Sequence, residues 1–226
     1  MSLRRLVTDP RGFYAERADD PSLRGPLVVV TLHAAVVLVV AVVALTVFTD
    51  LIREIASGRL VYEAGDQRVS APSELVFSLV ATAVLFYAVW LVASAVVYAV
   101  SAYFDGDGSF RRVLALVGWG LAPTLVPAVL ANGVLVALLL GAPTFETEAA
   151  AEQWVRANVG GNVAFEAVQF ARPVFTLWMA YLWVLAAEYG RDVPRRQAVV
   201  CVALPAALSV LNDLDAYYRL VANVLG

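Results

Sequence analysis

The run LVVVTLHAAVVLVVAVVALTVF, residues Leu27 to Phe48, carries no charged side chain from end to end. A membrane-spanning helix needs about 20 apolar residues, each adding about 1.5 Å, and this run has that length. The composition of the whole chain agrees, since 61% of the residues are hydrophobic and 15% are charged, against about 25% charged in soluble domains. The excess of apolar side chains is therefore expected to face lipid.

Four further apolar segments follow this run. Leu75 to Phe104 and Val113 to Phe145 are uncharged and longer than a bilayer requires, so each is expected to tilt, kink or protrude. Pro173 to Ala187 and Gln197 to Asn212 are shorter, and they span only if their flanking charges reach the interfaces. We predict an all-α integral membrane protein with a lead at residues 1–26 and one transmembrane domain at residues 27–226, a bundle of five spans at about 27–50, 75–103, 112–140, 167–189 and 196–215.

The distribution of arginine predicts how the bundle is oriented, because positive charge is enriched on the cytoplasmic side of membrane proteins. Five spans place the two chain ends on opposite sides. Five arginines lie in the longer segments of the C-terminal side, with Arg172 at the mouth of a helix, and ten lie on the N-terminal side: Arg4, Arg5, Arg11, Arg17, Arg24, Arg111, Arg112, Arg191, Arg195 and Arg196. The protein is therefore predicted to lie in the cell membrane with its N-terminus in the cytoplasm and its C-terminus outside. The charged lead is unlike a secretory signal peptide.

Three segments on the C-terminal side have their own predictions. TFETEAAAEQWVRANVGG, residues Thr144 to Gly161, has helical composition and is expected to lie flat on the membrane surface. Residues 51–73 predict a helix extension followed by a turn or small hairpin around Gly65. The C-terminal residues 212–226 form either an interfacial tail anchored by Tyr217 and Tyr218 or a continuation of the fifth helix.

Residues that could carry chemistry are few. His33 lies within the first span, where a neutral imidazole bonded to a neighbouring helix is favoured over a functional group. DGDGS, from Asp105 to Ser109, resembles the start of a calcium loop but has Phe110 in place of the required glycine, so it is interpreted as a solvated turn. Glu166, Gln169 and Arg172 share one helix face, and this is interpreted as a polar interfacial face rather than an entrance.

Motifs for catalysis, metal binding and nucleotide binding are missing from the sequence, including a zinc-binding histidine pair, a serine elbow and a phosphate loop. The sequence therefore predicts no enzyme, no catalytic residue, no cofactor and no metal. A single cysteine, Cys201, excludes an intramolecular disulfide. Nucleic acid is not an expected partner, and no small-molecule substrate is identified.

Glycine and proline in the third apolar segment predict how it packs. Gly118 and Ala122 form a small-xxx-small pair that lets another helix approach closely. Pro123 and Pro127 remove backbone donors, so a kink is expected. In the fifth segment Ala203 and Ala207 flank Pro205 and repeat this arrangement. The repetition predicts that the third and fifth spans pack against each other.

DPRGFYAERADDPSLRGPL, Asp9 to Leu27, resembles the lead into the first helix of the Yip (Ypt/Rab-interacting protein) domain membrane proteins, with its proline and two aromatics at Pro10, Phe13 and Tyr14. GDGSFRRVLALVGWGLAP is similar to the turn into that family's third helix. Two eukaryotic motifs are partly matched. Leu23, Gly25 and Pro26 fit Asp-Leu-Tyr-Gly-Pro, from which Ser22 and Arg24 depart, and Gly118 with Trp119 stands in for Gly-Tyr.

The resemblance implies a cytoplasmic N-terminus and five membrane helices, and the chain is most similar to the prokaryotic branch. In eukaryotes it implies binding of Rab GTPases, machinery that a prokaryotic member would usually lack. We expect a non-enzymatic membrane scaffold or adaptor that associates with other membrane proteins or with itself. Its predicted partner face consists of Pro10, Phe13, Tyr14, Leu23, Gly25, Pro26, Gly118, Trp119 and Pro123.

Two further expectations concern lipid and transport. Arg111, Arg112, Arg195 and Arg196 are expected to contact anionic lipid head groups, which makes membrane lipid a partner. The alternative function is a small transporter or channel whose pathway follows the helices broken by glycine and proline. A pathway of this kind would be lined by His33, Thr124 and Asn132.

Overall fold

The computed structural model describes residues 4–48, 71–145, 147–160 and 162–225, and the regular secondary structure within these ranges is helical. The hairpin predicted around Gly65 lies outside them. In chain order the elements are α1 (Arg4–Thr8), α2 (Pro10–Asp19), α3 (Arg24–Val47), α4 (Ala71–Ala102), α5 (Phe110–Gly120), a 3-10 helix (Ala122–Thr124), α6 (Leu125–Leu140), α7 (Glu148–Asn158), α8 (Val163–Arg191) and α9 (Arg195–Leu225).

Five helical segments of the described chain are long and apolar enough to cross a membrane, so the five-span prediction is confirmed. The third of them combines α5, the 3-10 helix and α6. The five segments are Arg24–Val47, Ala81–Ala102, Phe110–Leu140, Val163–Arg191 and Arg195–Leu214. Helix α9 continues beyond its span to Leu225, so the C-terminal segment is a continuation of the fifth helix.

Contacts between distant residues define two faces of the bundle. On the first, Arg11 of α2 pairs with Glu188 near the end of α8 at 3.8 Å, and the Asp107 amide donates to the Arg191 carbonyl at 2.8 Å. We call this the N-terminal face. On the other, the opposite face, the ring of Phe145 lies 5.7 Å from Phe48 and 5.8 Å from Trp154 of α7. Which face meets the cytoplasm stays a prediction from arginine counting.

Helix α8 is the central element of the bundle. It contacts α9, α5, α6, α4 and the lead helix α2, while α3 packs against α4, α5 and α6. Its buried side chains include Met179, Leu182, Trp183, Leu185 and Ala186. Helix α9 packs mainly against α8 and α4, so the predicted packing of the third span against the fifth is not a principal contact among the described residues. Both spans instead lie against α8.

The two small-residue pairs have different surroundings. Gly118 is buried, and a Cβ atom there would lie 2.6 Å from the Cβ of Pro26 and 2.7 Å from Nε1 of Trp90. Close approach to α3 and α4 therefore depends on this glycine. Ala203 and Ala207 are exposed instead, because the buried face of α9 is formed by Ala198, Cys201, Val202 and Pro205. A small-xxx-small spacing shows that a helix can approach, but it does not show which face of the helix is buried.

Candidate functional site at the N-terminal face

The lead, α1 with α2, forms the outermost layer of the N-terminal face. Helix α2 begins because the Asp9 carboxylate accepts a hydrogen bond from the Gly12 amide at 3.0 Å and Pro10 occupies its first position. A salt bridge of 2.8 Å between Arg5 and Glu16 ties α1 to α2. The lead is thus a small folded unit, and the face that it presents to the bundle carries the buried side chains Leu6, Phe13, Tyr14 and Ala18.

Phe13 joins the lead to the third span. Its ring meets Trp119 edge to face, with the ring centroids 5.3 Å apart. The guanidinium of Arg17 lies 3.5 Å from the centroid of Phe13 and 5.1 Å from that of Trp119, so one cation covers both rings. Such contacts contribute about 0.5–2 kcal/mol each, depending on how far they are desolvated. Burial lowers the pKa of Arg17, and the carboxylate of Glu16 opposes that shift.

Tyr14, the neighbour of Phe13, is fully buried against the bundle. Its hydroxyl has no hydrogen-bond partner among the described residues, and burial raises the pKa of this phenol far above its usual range. A buried hydroxyl without a partner destabilises the state that buries it. The docked lead therefore combines a favourable aromatic contact with an unfavourable polar one.

The start of the first span fits tightly against the third. Pro26 is buried and meets Gly118, as described above, and Gly25 lies against the six-membered ring of Trp119 so closely that a Cβ would overlap it. Leu23, half-buried, packs at the edge of the same core. The glycines at both positions are explained by this fit, since a side chain on either would displace an aromatic ring.

The structure thus brings most residues of the predicted partner face together, and it buries many of them. Phe13, Tyr14, Pro26, Gly118 and Pro123 are buried, whereas Pro10, Leu23, Gly25 and Trp119 are half-buried. Contacts between them join Phe13 of α2 to Trp119, and Gly25 and Pro26 of α3 to Trp119 and Gly118. Their role in meeting a partner stays a prediction, and burial limits it to whatever side chains the docked lead leaves open.

The turn from Asp105 to Ser109 has a function in the fold that sequence reasoning missed. The buried guanidinium of Arg191 donates to the carbonyl oxygens of Gly106 and Gly108 and, at 2.8 Å, to the Ser101 hydroxyl. Gly108 has a φ of 110°, and a Cβ there would lie 2.5 Å from the carbonyl oxygen of Gly190. The turn is therefore an acceptor cage for an arginine, and only glycine fits at this position.

The predicted kink in the third span coincides with a one-turn 3-10 interruption of the helix, which we call the break. Helix α5 ends at Gly120, the 3-10 helix carries Pro123, and α6 starts at Leu125. At the break the Leu121 amide donates to Gly118 at 3.3 Å rather than to Val117. The freed carbonyl of Val117 accepts from the indole of Trp183 at 3.0 Å.

This replacement answers a general requirement of membrane helices, in which every freed backbone group must find a partner within the protein. The indole of Trp90 also donates to a backbone carbonyl of α5, that of Leu114, at 2.8 Å. Two tryptophans from neighbouring spans therefore hold the broken segment in place. Gly120 permits this, because a Cβ there would overlap the ring of Trp183.

His33 contacts this break directly. Its Nε2 lies 3.0 Å from Oγ1 of Thr124, and its Nδ1 lies 3.0 Å from the Val29 carbonyl of its own helix. A carbonyl only accepts, so Nδ1 carries a proton and donates it to Val29. The Thr124 hydroxyl lies within hydrogen-bond distance of Nε2 and, at 2.8 Å, of the Leu121 carbonyl, and its single proton serves one of these two acceptors at a time. The interpretation of His33 as a hydrogen-bonded core residue agrees with this geometry. Asn132 donates to the Ala128 carbonyl at 2.7 Å.

A second polar cluster lies toward the opposite face. Asp213 of α9 is buried, and its carboxylate accepts from the Thr176 hydroxyl and pairs with Arg172 at 3.1 Å. Arg172 also donates to Gln169 at 3.3 Å. The polar face predicted for α8 therefore includes a salt bridge to α9. No group of three or more His, Cys, Asp or Glu residues that could hold a metal ion is found within the described ranges.

The fold and this site define a class: a helical multi-pass membrane protein whose N-terminal lead folds back onto a broken third span. The family model described as the Yip1 domain matches residues 4–211. An uncharacterized protein of Methanocaldococcus jannaschii is 24% identical over 131 residues, which are 58% of this chain and 85% of that protein. No solved structure matches the chain. The chain belongs to the Yip1 domain family, as its sequence motifs suggested.

Proposed function

We propose that this protein is a non-enzymatic scaffold or adaptor of the cell membrane that acts through its N-terminal face, with that face in the cytoplasm. The observation that carries the proposal is that Phe13 of the lead packs on Trp119 while Gly25 and Pro26 of α3 pack on Trp119 and Gly118, which concentrates the family's motif residues at one place. The excess of arginine on that side supports the orientation. Association with other membrane proteins or with a second copy is the action proposed.

The intramembrane polar groups support a scaffold over a transport pathway. His33 and Thr124 bond each other, and the amide of Asn132 bonds its own helix. Trp90 and Trp183 use their indole donors on backbone carbonyls of α5. Each of these groups is engaged within the protein, so it acts in packing rather than in binding a solute.

Anionic lipid is the proposed second partner. Arg111, Arg195 and Arg196 are exposed at the N-terminal face, at the starts of α5 and α9. Arg112 is held by Asp192 at 3.1 Å, so it contributes less than its neighbours. Replacing the three exposed arginines by glutamine is expected to reduce retention of phosphatidylglycerol in native mass spectrometry of the purified protein. Arg156→Gln on α7 is the control, and equal retention by both variants would contradict lipid binding.

Site-specific crosslinking tests the adaptor proposal. A photoreactive amino acid is placed at Val7 or Arg111 on the N-terminal face and, as matched control, at Val155 on α7; all three side chains are exposed. Crosslinking in intact cells followed by mass spectrometry is expected to give the same protein partner, or a dimer, from both N-terminal positions and not from Val155. Identical products from both faces, or none from the N-terminal face, would refute the adaptor function.

A further inference from the structure

The lead is held to the bundle by side-chain contacts. It is internally tied by the Arg5–Glu16 salt bridge, and its ion pair to the bundle, Arg11 to Glu188, is longer at 3.8 Å. No backbone hydrogen bond joins residues 4–19 to the transmembrane helices in the described part of the chain. The lead can therefore move as one unit without breaking backbone pairing.

Two buried polar atoms oppose the docked position. The Tyr14 hydroxyl and Oε2 of Glu188 both lack a hydrogen-bond partner among the described residues. Tyr14 is a buried residue of the lead, and Glu188 is the residue of α8 that pairs with Arg11 of the lead. Each would regain water when the lead lifts away. The aromatic contact of Phe13 with Trp119, covered by Arg17, acts in the other direction.

The connection to the first span permits such a movement. Helix α2 ends at Asp19, and α3 starts at Arg24. The intervening residues 20–22 carry no helix, while Leu23 stays packed at the edge of the core. Release about this short connection would leave the Gly25–Trp119 and Pro26–Gly118 contacts of α3 in place.

We propose that the lead is a releasable latch over a helix-docking groove. In the closed state the groove, formed by α5 and the end of α8 around Trp119, holds the chain's own Phe13 and Tyr14. In the open state it accepts an amphipathic helix of the same chemistry from a partner, with an aromatic pair toward the groove and a cation over Trp119. This inference rests on the adaptor function proposed above, and it explains how motif residues that are buried become available.

Hydrogen exchange of the full chain in nanodiscs, followed by mass spectrometry, tests the latch without any partner. Residues 10–19 are expected to exchange much faster than the buried part of α8, residues 182–190. Phe13→Ala is expected to accelerate exchange of the lead by about a hundredfold or more, and Tyr14→Phe to slow it by about fivefold or more. Val7→Ala, at a side chain that is 59% exposed on the lead, is the control and leaves the rate unchanged.

Two results would overturn the latch. One is exchange of the lead and of α8 at the same rate in every variant, since the lead would then be part of the cooperative core. The other is faster exchange in Tyr14→Phe, since the phenol would then have a partner that holds the lead down. Tyr14→Phe removes one oxygen and keeps the packing. Its exchange rate therefore tests the latch even where Phe13→Ala does not fold.

A labelled synthetic peptide of residues 4–19 tests the groove. It is expected to bind the full-length Phe13→Ala protein at least about tenfold more tightly than the wild-type protein, in which the lead competes. The same peptide with alanine in place of Phe13 should bind neither. Absence of binding to a chain whose lead exchanges rapidly would refute the groove as a docking site. These results are independent of the crosslinking experiment, so the latch and the adaptor function can fail separately.

Discussion

Both faces of the bundle bury a charged side chain, and they stabilise it in different ways. Arg191 at the N-terminal face is 5% exposed and donates to two backbone carbonyls and a serine hydroxyl. Asp213 toward the opposite face is 6% exposed and pairs with Arg172 and Thr176. The first arrangement depends on the backbone shape of a turn, whereas the second needs only two side chains of opposite charge. The positions of the groups around Arg191 are therefore specified far more narrowly than those around Asp213.

The largest effect is expected from Arg191→Met. It removes three donors at once and leaves the cage of Gly106, Gly108 and Ser101 without its cation, so the free energy of unfolding should fall by about 3–5 kcal/mol. Unfolding in mixed detergent micelles, followed by circular dichroism, measures it. Arg191→Lys should recover only part of the loss, because one ammonium group cannot reach all three acceptors. Arg111→Met, at an exposed arginine, is the control.

A change at the packed glycine of the same face should come next. Gly118→Val forces a side chain against Pro26 and Trp90 and should destabilise the protein by about 1–3 kcal/mol in the same assay. Gly133→Val is the matched change within the same span, because a Cβ at Gly133 would meet nothing within 4 Å. Equal losses for the two variants would show that helix propensity, and not the contact with α3 and α4, explains the glycine at position 118.

Substitutions at the opposite face should lower the free energy of unfolding by less. Asp213→Asn removes the charge that Arg172 pairs with, but the amide oxygen can still accept from Thr176, and Arg172 is half-exposed. We expect a loss of about 1 kcal/mol in the free energy of unfolding. Glu152→Gln in the exposed Glu152–Arg156 pair of α7 should change nothing measurable. A loss as large as that of Arg191→Met would remove the contrast between the faces.

Sequence reasoning identified the features that depend on local chemistry. Uncharged runs predict spans because lipid admits no unpaired charge, and the missing amide of Pro123 predicts the break in the third span. The start of the fourth helix also has a local cause. The span was predicted at about 167–189, and the helix α8 that contains it begins at Val163, because the Asn162 side chain caps it at the Phe165 amide.

Features that depend on contacts between residues far apart in the sequence could not be predicted from local sequence patterns. The acceptors of Arg191 lie more than 80 positions earlier in the chain, and no periodicity links them. The motif of the lead and the Gly-Trp pair were recognised as belonging together, but an adjacent Phe13 and Tyr14 do not show that both are buried. The exposure of Ala203 and Ala207 could not be inferred for the same reason, since spacing alone does not reveal the neighbours of a helix.

The smallest effect is expected from removing the charge of Arg17, which lies over the rings of Phe13 and Trp119. This effect should be confined to the N-terminal face, so it sharpens the comparison between the two faces. Arg17→Met keeps the apolar stem and removes the charge from Phe13 and Trp119, for a loss of about 0.5–1 kcal/mol. If the lead docks independently, this loss should appear as faster hydrogen exchange of residues 10–19, with the unfolding of the bundle unchanged. Arg24→Met, at an exposed arginine where α3 begins, should leave both rates as they are. A loss of bundle stability in Arg17→Met would instead make the lead part of the same cooperative unit as Arg191, and the N-terminal face would then be a single rigid structure.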